Sequence, residues 1–325
     1  MARESSFQLL VHVEPKLYES GASALYRTVR ANGFDLRGVL AHLSVTSLDA
    51  LTVHHMKSLS WLAGIAPRWL ETRLFLEPVG RNRRQCRFVD QPFTRAASPK
   101  GFSARICPVC VSIHQHCKVS WILRSAAVCH IHRCYLQEQC SSCNRTITWS
   151  RPAMDVCGCG RYLTSHAEST VDSESVLAWA TWVEVQCVRS VGGDALSWPT
   201  FSLPSIFSGM TIDGAYRLIE AFGLFKTSVS APGRGLANRV KPCDVAQIIE
   251  RGIDRLLCVE ADIKALRHLA PLIHMPAIER LKDDSTHAGD QACAQVLLEL
   301  LRATKSGPTG KGSYVRGQMS LFGLN

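Results

Sequence analysis

The sequence predicts a mainly α protein with an N-terminal helix-turn-helix-like bundle, two small zinc-finger or ribbon modules and a C-terminal helical domain. Apolar residues recur at helical spacing through the first hundred residues and again beyond residue 173. Between these stretches the pattern changes, because nine of the fourteen cysteines lie from Cys107 to Cys159. With 325 residues, 46% of them hydrophobic, the chain can bury the cores of two or three domains.

The first segment, residues 1–98, is predicted to consist of short helices joined by tight turns. Capping and proline signals place these helices at Ser20–Asn32 (followed by Gly33), Leu36–Leu43, a short start at Ser47–Asp49, Leu51–Ala63 (ended by Gly64) and from Pro67 onward. Such a series suits a helix-turn-helix bundle. Periodicity alone does not distinguish a bundle that reads DNA from one that does not.

The third segment, residues 167–304, is predicted to be a helical domain, followed by a flexible tail over residues 305–325. Ser173 is a plausible N-cap for a helix whose apolar face includes Val176, Leu177 and Trp179, and helical spacing favours a core position for this tryptophan. Further helices are expected at Asp213–Phe225, Asp244–Cys258, Ala261–Leu269, Pro276–Leu281 and Asp290–Arg302. A linker rich in Gly, Pro and Ser is expected at residues 228–239.

The middle segment, residues 99–166, carries two sets of paired metal-ligand residues. Cys107-Pro108-Val109-Cys110 is followed after eighteen residues by Cys129-His130-Ile131-His132. Cys140-Ser141-Ser142-Cys143 is followed after thirteen residues by Cys157-Gly158-Cys159-Gly160. Cysteine pairs of this spacing in a reduced compartment indicate metal rather than disulfides.

Two four-ligand sets predict two closed, structural Zn²⁺ sites, with no open position for a catalytic water. The expected ligands are Cys107, Cys110, Cys129 and His132 in the first site, and Cys140, Cys143, Cys157 and Cys159 in the second. Within the first set His130 competes with His132, although the Cys-x-x-His spacing favours His132. Cys117, Cys134, His114 and His116 lie nearby, and the last two are expected to be ordinary surface residues.

Positive charge is concentrated in the N-terminal part of the chain. Residues 1–106 have 15 basic and 8 acidic side chains, and residues 107–165 have 6 and 2, whereas residues 166–305 have 14 and 17. The densest point contains Arg81, Arg83, Arg84 and Arg87. These arginines either contact nucleic-acid phosphates without reading sequence or form a solvated loop before the metal modules.

Motifs of the common enzyme classes are absent from the sequence. It contains no P-loop, HExxH or GxSxG pattern, and its acidic residues do not form the spaced triad of a nuclease. The sequence therefore favours a binding protein over an enzyme. The absence of a 20-residue apolar stretch and of a signal-peptide core predicts a cytoplasmic, nucleoid-associated protein.

These motifs together resemble the TniQ/TnsD family of bacterial transposon proteins over residues 10–165. The cysteine motifs, Trp121, Leu136 and the run from Cys157 to Leu163 follow the order of the family pattern. The N-terminus also matches, with Pro15, Glu19-Ser20, Ala24 to Arg27 and Asn32-Gly33.

The resemblance implies a non-enzymatic adaptor that selects target sites in DNA transposition. Such proteins link target DNA, or a CRISPR effector complex (Cascade with its guide RNA), to a transposon AAA+ ATPase that recruits the transposase, and some members form homodimers. The resemblance also implies that the eight residues named above bind zinc. The main rival is a zinc-ribbon transcription regulator that reads an operator by itself, and a cryptic nuclease is a weaker one.

A final candidate site lies at the C-terminus. The residues Gln318-Met319-Ser320-Leu321-Phe322 resemble the pentapeptide that binds the bacterial replication sliding clamp. Leu321 and Phe322 would fill an apolar pocket and Gln318 would bond at its rim. The alternative is that this apolar pair folds back on the C-terminal helices.

Overall fold

A computed structural model describes residues 8–74, 76, 85–94, 104–163, 170–191, 202–227 and 241–305. The fold is mainly α, as the sequence predicts, and its strands are short. The chain divides into two compact units, one of residues 1–172 with 180–198 and one of residues 173–179 with 199–325. The predicted linker at 228–239 and residues 306–325 of the predicted tail lie outside the described residues, whereas Lys305 still belongs to the last helix.

The first unit begins with a helical bundle close to the predicted one. Its helices are α1 (Gly21–Ala31), α2 (Leu36–His42), α3 (Met56–Ala63) and α4 (Pro67–Arg73). Ser20 caps α1 through its side chain, as Asp35 caps α2, and Gly64 ends α3 in the left-handed conformation with φ 65°. The predicted helix from Leu51 starts only at Met56, because Thr52 and His55 cap a separate 3-10 turn first.

A β-hairpin follows the bundle at a place where the sequence analysis predicted no strand. Strands β1 (Gln85–Phe88) and β2 (Gln91–Thr94) pair antiparallel around a Val89-Asp90 turn in which both residues have positive φ. A β-branched residue at φ 44° is strained, but Val89 is fully buried and its N–H bonds the carbonyl of Thr72 at 2.8 Å. Burial and this hydrogen bond therefore hold a turn that its sequence disfavours.

The cysteine-rich segment packs on the bundle in one hydrophobic core. It contains α5 (Pro108–His114), a 3-10 turn at Val119–Ile122, and the antiparallel strands β3 (Val128–Cys129) and β4 (Cys134–Tyr135). Tyr26 donates from its hydroxyl to the carbonyl of Arg151, and the Arg151 guanidinium lies over the rings of Tyr26 and Trp149. Bundle and cysteine-rich segment thus share one buried cluster of side chains.

The second unit is helical. Helix α6 (Glu174–Arg189) contributes residues to both units, and the later helices are α7 (Ile212–Gly223), α8 (Pro242–Ala261), α9 (Ala265–Leu269), α10 (Met275–Asp284) and α11 (Ala288–Lys305). Trp179 is buried against Phe207 and Tyr216 in this unit, so its predicted core position is confirmed. None of the helices in the described part of the chain is long and apolar enough to cross a membrane.

Helices α7 and α8 approach closely through a glycine on each helix. A methyl group at Gly252 would lie 2.4 Å from the carbonyl oxygen of Ile219, and one at Gly223 would lie 2.0 Å from that of Ile248. Both oxygens belong to helix backbone, which cannot yield as a flexible side chain does. The glycines therefore set the distance between the two helices.

We expect Gly252→Ala to destabilise the protein by about 1–3 kcal/mol, because the overlap with backbone exceeds the gain of about 1 kcal/mol from alanine's helix propensity. Urea unfolding of the full chain measures the change. Gly209→Ala is the matched control, since a methyl group at Gly209 would have no described atom within 4 Å. A Gly252→Ala chain as stable as the wild type would contradict this account of the packing.

Candidate metal centres

The first centre brings together Cys107, Cys110, Cys129 and His132, whose ligand atoms all lie within 4.8 Å of one another. The three cysteines are buried and the histidine is half-buried. Nδ1 of His132 lies 3.4, 3.2 and 3.7 Å from the Sγ atoms of Cys107, Cys110 and Cys129, and the last two sulfurs lie 3.7 Å apart.

These separations fit a tetrahedral metal ion. With Zn–S bonds of about 2.3 Å and a Zn–N bond of about 2.0 Å, a tetrahedron places sulfurs about 3.8 Å apart and sulfur and nitrogen about 3.5 Å apart. A disulfide would need about 2.05 Å between sulfurs, and all fourteen cysteines are free. The donor set and its spacing therefore suit Zn²⁺.

Local structure explains how the chain forms the first centre. Cys107 is the N-cap of α5, and its sulfur accepts a hydrogen bond from the amide of Cys110 at 3.5 Å. Pro108 starts the helix and fixes the turn between the two thiols. Cys129 ends β3, and His132 lies in the turn that leads to β4.

The neighbouring candidates take other positions. Nε2 of His130 lies 3.0 Å from Oε2 of Glu184, so this ring is engaged outside the centre. Cys117 is buried beside Met154 and Arg151. Cys134 is closer to the centre, since its sulfur lies 3.6 Å from that of Cys107, and it forms a fifth thiol at the margin.

His114 and His116 lie outside both ligand groups. His114 is exposed and His116 is half-buried, and a ring nitrogen of His116 lies 3.1 Å from the carbonyl oxygen of His114. Burial lowers the pKa of His116.

The second centre brings together Cys140, Cys143, Cys157 and Cys159. The sulfur of Cys140 lies 3.9 Å from that of Cys159, and the sulfur of Cys143 lies 3.8 Å from that of Cys157, again at tetrahedral spacing. Cys159 is exposed, so this centre lies nearer the surface than the first.

Two similar backbone turns form the second centre. The amide of Cys140 donates to the carbonyl of Arg145 at 2.9 Å, and that of Cys157 donates to the carbonyl of Arg161 at 2.8 Å. One turn ends at Asn144 with φ 55° and the other contains Gly160 with φ 82°. Of the two glycines in the second turn, Gly158 and Gly160, only Gly160 has the positive φ that glycine adopts without strain.

The thiols in and around the two centres differ in acidity, but the direction of the pKa shift is the same for some ligands, such as Cys129, as for Cys117 outside the centres. Hydrogen bonds with Cys110 and Cys129 hold the pKa of Cys107 far below its ordinary value, and the same contacts raise the pKa of Cys110. Desolvation raises the pKa of Cys140, but hydrogen bonds from the backbone amides of Cys143 and Ser142 and with the thiols of Cys157 and Cys143 bring the value to about 7. Burial raises the pKa of Cys117 to about 11, and what places Cys117 outside the first centre is its position beside Met154 and Arg151.

Glu19, Ser20 and Ser23 form a buried joint between the helical bundle and the cysteine-rich segment. Glu19 is fully buried and accepts hydrogen bonds from the hydroxyl of Ser23 at 2.7 Å, the guanidinium of Arg27 at 2.6 Å and the amide of Lys16 at 3.0 Å. The next residue, Ser20, donates from its amide to the carbonyl of Cys117 at 3.0 Å.

Ser23 makes the second contact of this joint with Cys117, because its hydroxyl accepts a hydrogen bond from the Cys117 amide at 3.0 Å. The Glu19-Ser20 motif thus holds the chain between the two halves of the first centre against α1.

Comparison with known families agrees with this arrangement. The TniQ family model matches residues 10–136, which include the Glu19-Ser20 joint and all four residues of the first centre. The chain carries a TniQ domain. The resemblance seen in the sequence is confirmed for these residues, and the match ends before the second centre. A comparison with curated proteins gave no match.

The remaining predicted contact residues lie outside the ligand groups or outside the described residues. Arg87 is on β1, not in a loop, with its side chain 76% exposed and Nε 3.8 Å from Oδ1 of Asp90. The predicted residues that fall outside the described part of the chain are Arg81, Arg83, Arg84, Gln318, Leu321 and Phe322.

The sequence did not identify the carboxylate beside His130. Glu184 is buried on α6, where its pKa lies below the ordinary value because the hydrogen bond from His130 and the charge of Lys118 outweigh its desolvation. An acidic residue within an apolar helix face, between Val183 and Val185, is the signal that could have indicated it.

Proposed function

We propose that the protein is a non-enzymatic adaptor that selects target sites in DNA transposition. It links target DNA, or a CRISPR Cascade complex with guide RNA, to the AAA+ ATPase of the transposon, which in turn recruits the transposase. The observation that carries this proposal is the TniQ domain, since this domain implies a target-selection role and the TniQ family is a non-catalytic adaptor family. Two structural Zn²⁺ ions per chain complete the proposal.

The donor sets support a structural role for the metal. Each centre offers four protein ligands, so a four-coordinate Zn²⁺ ion would have no position left for water or substrate. Bound zinc would cross-link turns that are far apart in the sequence. Its contribution is therefore to the shape of the TniQ domain.

Helices α3 and α4 support a role in which a partner brings the protein to its DNA target, over one in which the protein reads a DNA sequence by itself. These two helices are joined by the three residues Gly64 to Ala66, a turn typical of the helix-turn-helix motif. A recognition helix needs outward side chains that can reach base edges. The exposed basic residue of α4, Arg68, instead donates to both carboxylate oxygens of Asp90 at 2.7 Å.

The charge distribution supports a division of partners. The basic residues of the first 165 positions suit nucleic acid or a nucleoprotein complex, and the more acidic residues 166–305 suit protein partners such as the ATPase. The proposed partners also include a second copy of the chain and the replication sliding clamp. The clamp would bind Gln318, Leu321 and Phe322.

Deletion and complementation in cells test the adaptor role. Targeted insertion should be lost without the gene and return with the intact chain, and purified chain should capture the AAA+ ATPase.

DNA binding distinguishes the adaptor from the alternative, a transcription regulator. Weak DNA binding that falls steeply with salt concentration fits the adaptor. Nanomolar, sequence-selective binding by the isolated chain, with no effect on insertion, would favour the transcription regulator.

We expect replacement of both Arg83 and Arg84 by Glu to reduce insertion and DNA binding while zinc content stays unchanged. If each arginine contacts a phosphate, the slope of log affinity against log salt should fall by about 2. The double change of Arg267 and Arg280 to Glu, at exposed positions in α9 and α10, is the control with equal charge change. If both double variants bound DNA equally well, Arg83 and Arg84 would not contact phosphates, and the alternative interpretation as a solvated loop would hold.

A further inference from the structure

Three ionisable side chains meet in the interior of the first unit, next to the first metal centre. Nζ of Lys118 lies 2.7 and 3.0 Å from the two carboxylate oxygens of Glu184, and Nε2 of His130 lies 3.0 Å from Oε2 of the same carboxylate. The exposed fractions of these side chains are 7% for Lys118, 8% for His130 and 2% for Glu184. An ionised carboxylate can only accept, so the imidazole donates to it.

The position of His130 connects this cluster to the metal. It lies directly after Cys129 and two residues before His132, within the turn that supplies half of the ligands of the first centre. Lys118 lies on the other side, in a β-bridge with Glu19. Glu184 therefore holds the middle of the metal-binding turn against a residue that is itself fixed to the bundle.

Glu184 differs from its two partners in its place in the sequence. Lys118 and His130 belong to the segment that matches the TniQ family, whereas Glu184 lies on α6, beyond the end of that match. Burial of three ionisable groups is costly, and an apolar set of the same size would often be at least as stable. Stability alone does not account for this cluster.

Orientation of the metal-binding turn does account for it. Carboxylates that hydrogen-bond histidines at metal sites fix the ring and its backbone, and their removal weakens metal affinity by about 10–100-fold. Here the fixed ring lies between two ligands instead of being one. Fixing it restricts the turn to the conformation that presents Cys129 and His132 together.

We infer that Glu184 is a positioning residue for the first metal centre, which acts by holding His130 and so presenting Cys129 and His132 to the ion. The inference rests on the metal occupancy included in the proposed function. It assigns a part of the metal site to a helix outside the family match. It also gives His130 a role distinct from ligation.

Two double variants of the full chain separate orientation from stability. Lys118→Met with Glu184→Gln keeps an oxygen that accepts from His130, and Lys118→Met with Glu184→Leu removes it, while neither leaves Lys118 buried without its partner. Affinity for Co²⁺ is measured at both centres by absorption, because S₃N and S₄ sites give bands of different energy. The second centre is the internal control in every variant.

We expect the Gln variant to bind Co²⁺ at the first centre within about threefold of the wild type, and the Leu variant to bind about 10–100-fold more weakly. Affinity at the second centre should not change. His130→Ala should match the Leu variant, and His114→Ala, at an exposed histidine outside the centres, should match the wild type.

Equal affinity of the Gln and Leu variants at the first centre would overturn the inference, as would equal losses at both centres. A wild-type chain that binds Co²⁺ at neither centre would overturn the proposed metal centres and this inference with them. A wild type that binds two ions, with a loss confined to the first centre of the Leu variant, would support both.

Discussion

Removal of metal from the first centre is expected to unfold the TniQ domain. The sulfurs of Cys107, Cys110 and Cys129 are buried in the core that the bundle shares with the cysteine-rich segment. Binding of structural Zn²⁺ contributes about 10–16 kcal/mol in zinc-finger peptides, whereas a whole domain is stable by about 5–15 kcal/mol. Loss of the ion would therefore remove as much free energy as the domain has in total.

Cys110→Ser tests this expectation at a single ligand. Circular dichroism and amide exchange should report lost helical signal and lost protection in α1 to α4, and a strong chelator should do the same to the wild type. Cys258→Ser is the matched control, because this cysteine is exposed on α8 and lies outside both centres. Native-like protection in Cys110→Ser, or in chelator-treated wild type, would show that the domain folds without its metal.

Replacement of Glu19 is expected to have the second largest effect. Glu19→Ala leaves the guanidinium of Arg27, which is only 19% exposed, without its carboxylate and removes the acceptor for Ser23 and Lys16. Breaking a buried ion pair in this way typically costs about 3–5 kcal/mol of folding free energy. Because the joint fixes the chain next to Cys117, metal affinity at the first centre should also fall.

Urea unfolding and Zn²⁺ competition measure the two effects of Glu19→Ala. Glu14→Ala is the control, since Glu14 is exposed and an ordinary surface change stays within about 0.5 kcal/mol. If Glu19→Ala and Glu14→Ala unfolded at the same urea concentration, the joint would not stabilise the domain.

The features that the sequence predicted well are those set by local spacing. The three cysteine pairs and the Cys129–His132 pair lie in turns whose geometry depends on a few neighbouring residues, so the spacing alone was enough to name both ligand groups. Helix ends at Ser20, Gly64 and Pro67 depend on equally local signals. Metal ligation at these eight residues stays a prediction until an ion is measured.

The features that the sequence missed depend on contacts between distant residues. The β1–β2 hairpin was missed because Val89-Asp90 lacks the Asn-Gly or Asp-Gly signature of such turns, and its support comes from Thr72 and from Arg68. The contact of His130 with Glu184 spans more than fifty residues. Spacing within the cysteine motif could not reveal either one.

The structure also bears on the choice between His130 and His132, which the sequence left open. His132 lies within the ligand group of the first centre, whereas His130 faces a buried carboxylate. The geometry therefore favours His132 over His130 as the nitrogen ligand, because the ligand group of the first centre contains His132 and not His130. Cys134, at 3.6 Å from Cys107, is then the remaining competitor for the fourth position.

The metal content of freshly purified, reduced protein tests the account most directly. Native mass spectrometry of the full chain, together with elemental analysis, gives the identity of the metal and the number of ions bound. The account predicts two Zn²⁺ ions per chain, with one ion lost from the second centre in Cys143→Ser and at least the ion of the first centre lost in Cys110→Ser. A chain that binds one ion or none, or an ion other than zinc, would contradict two structural zinc centres.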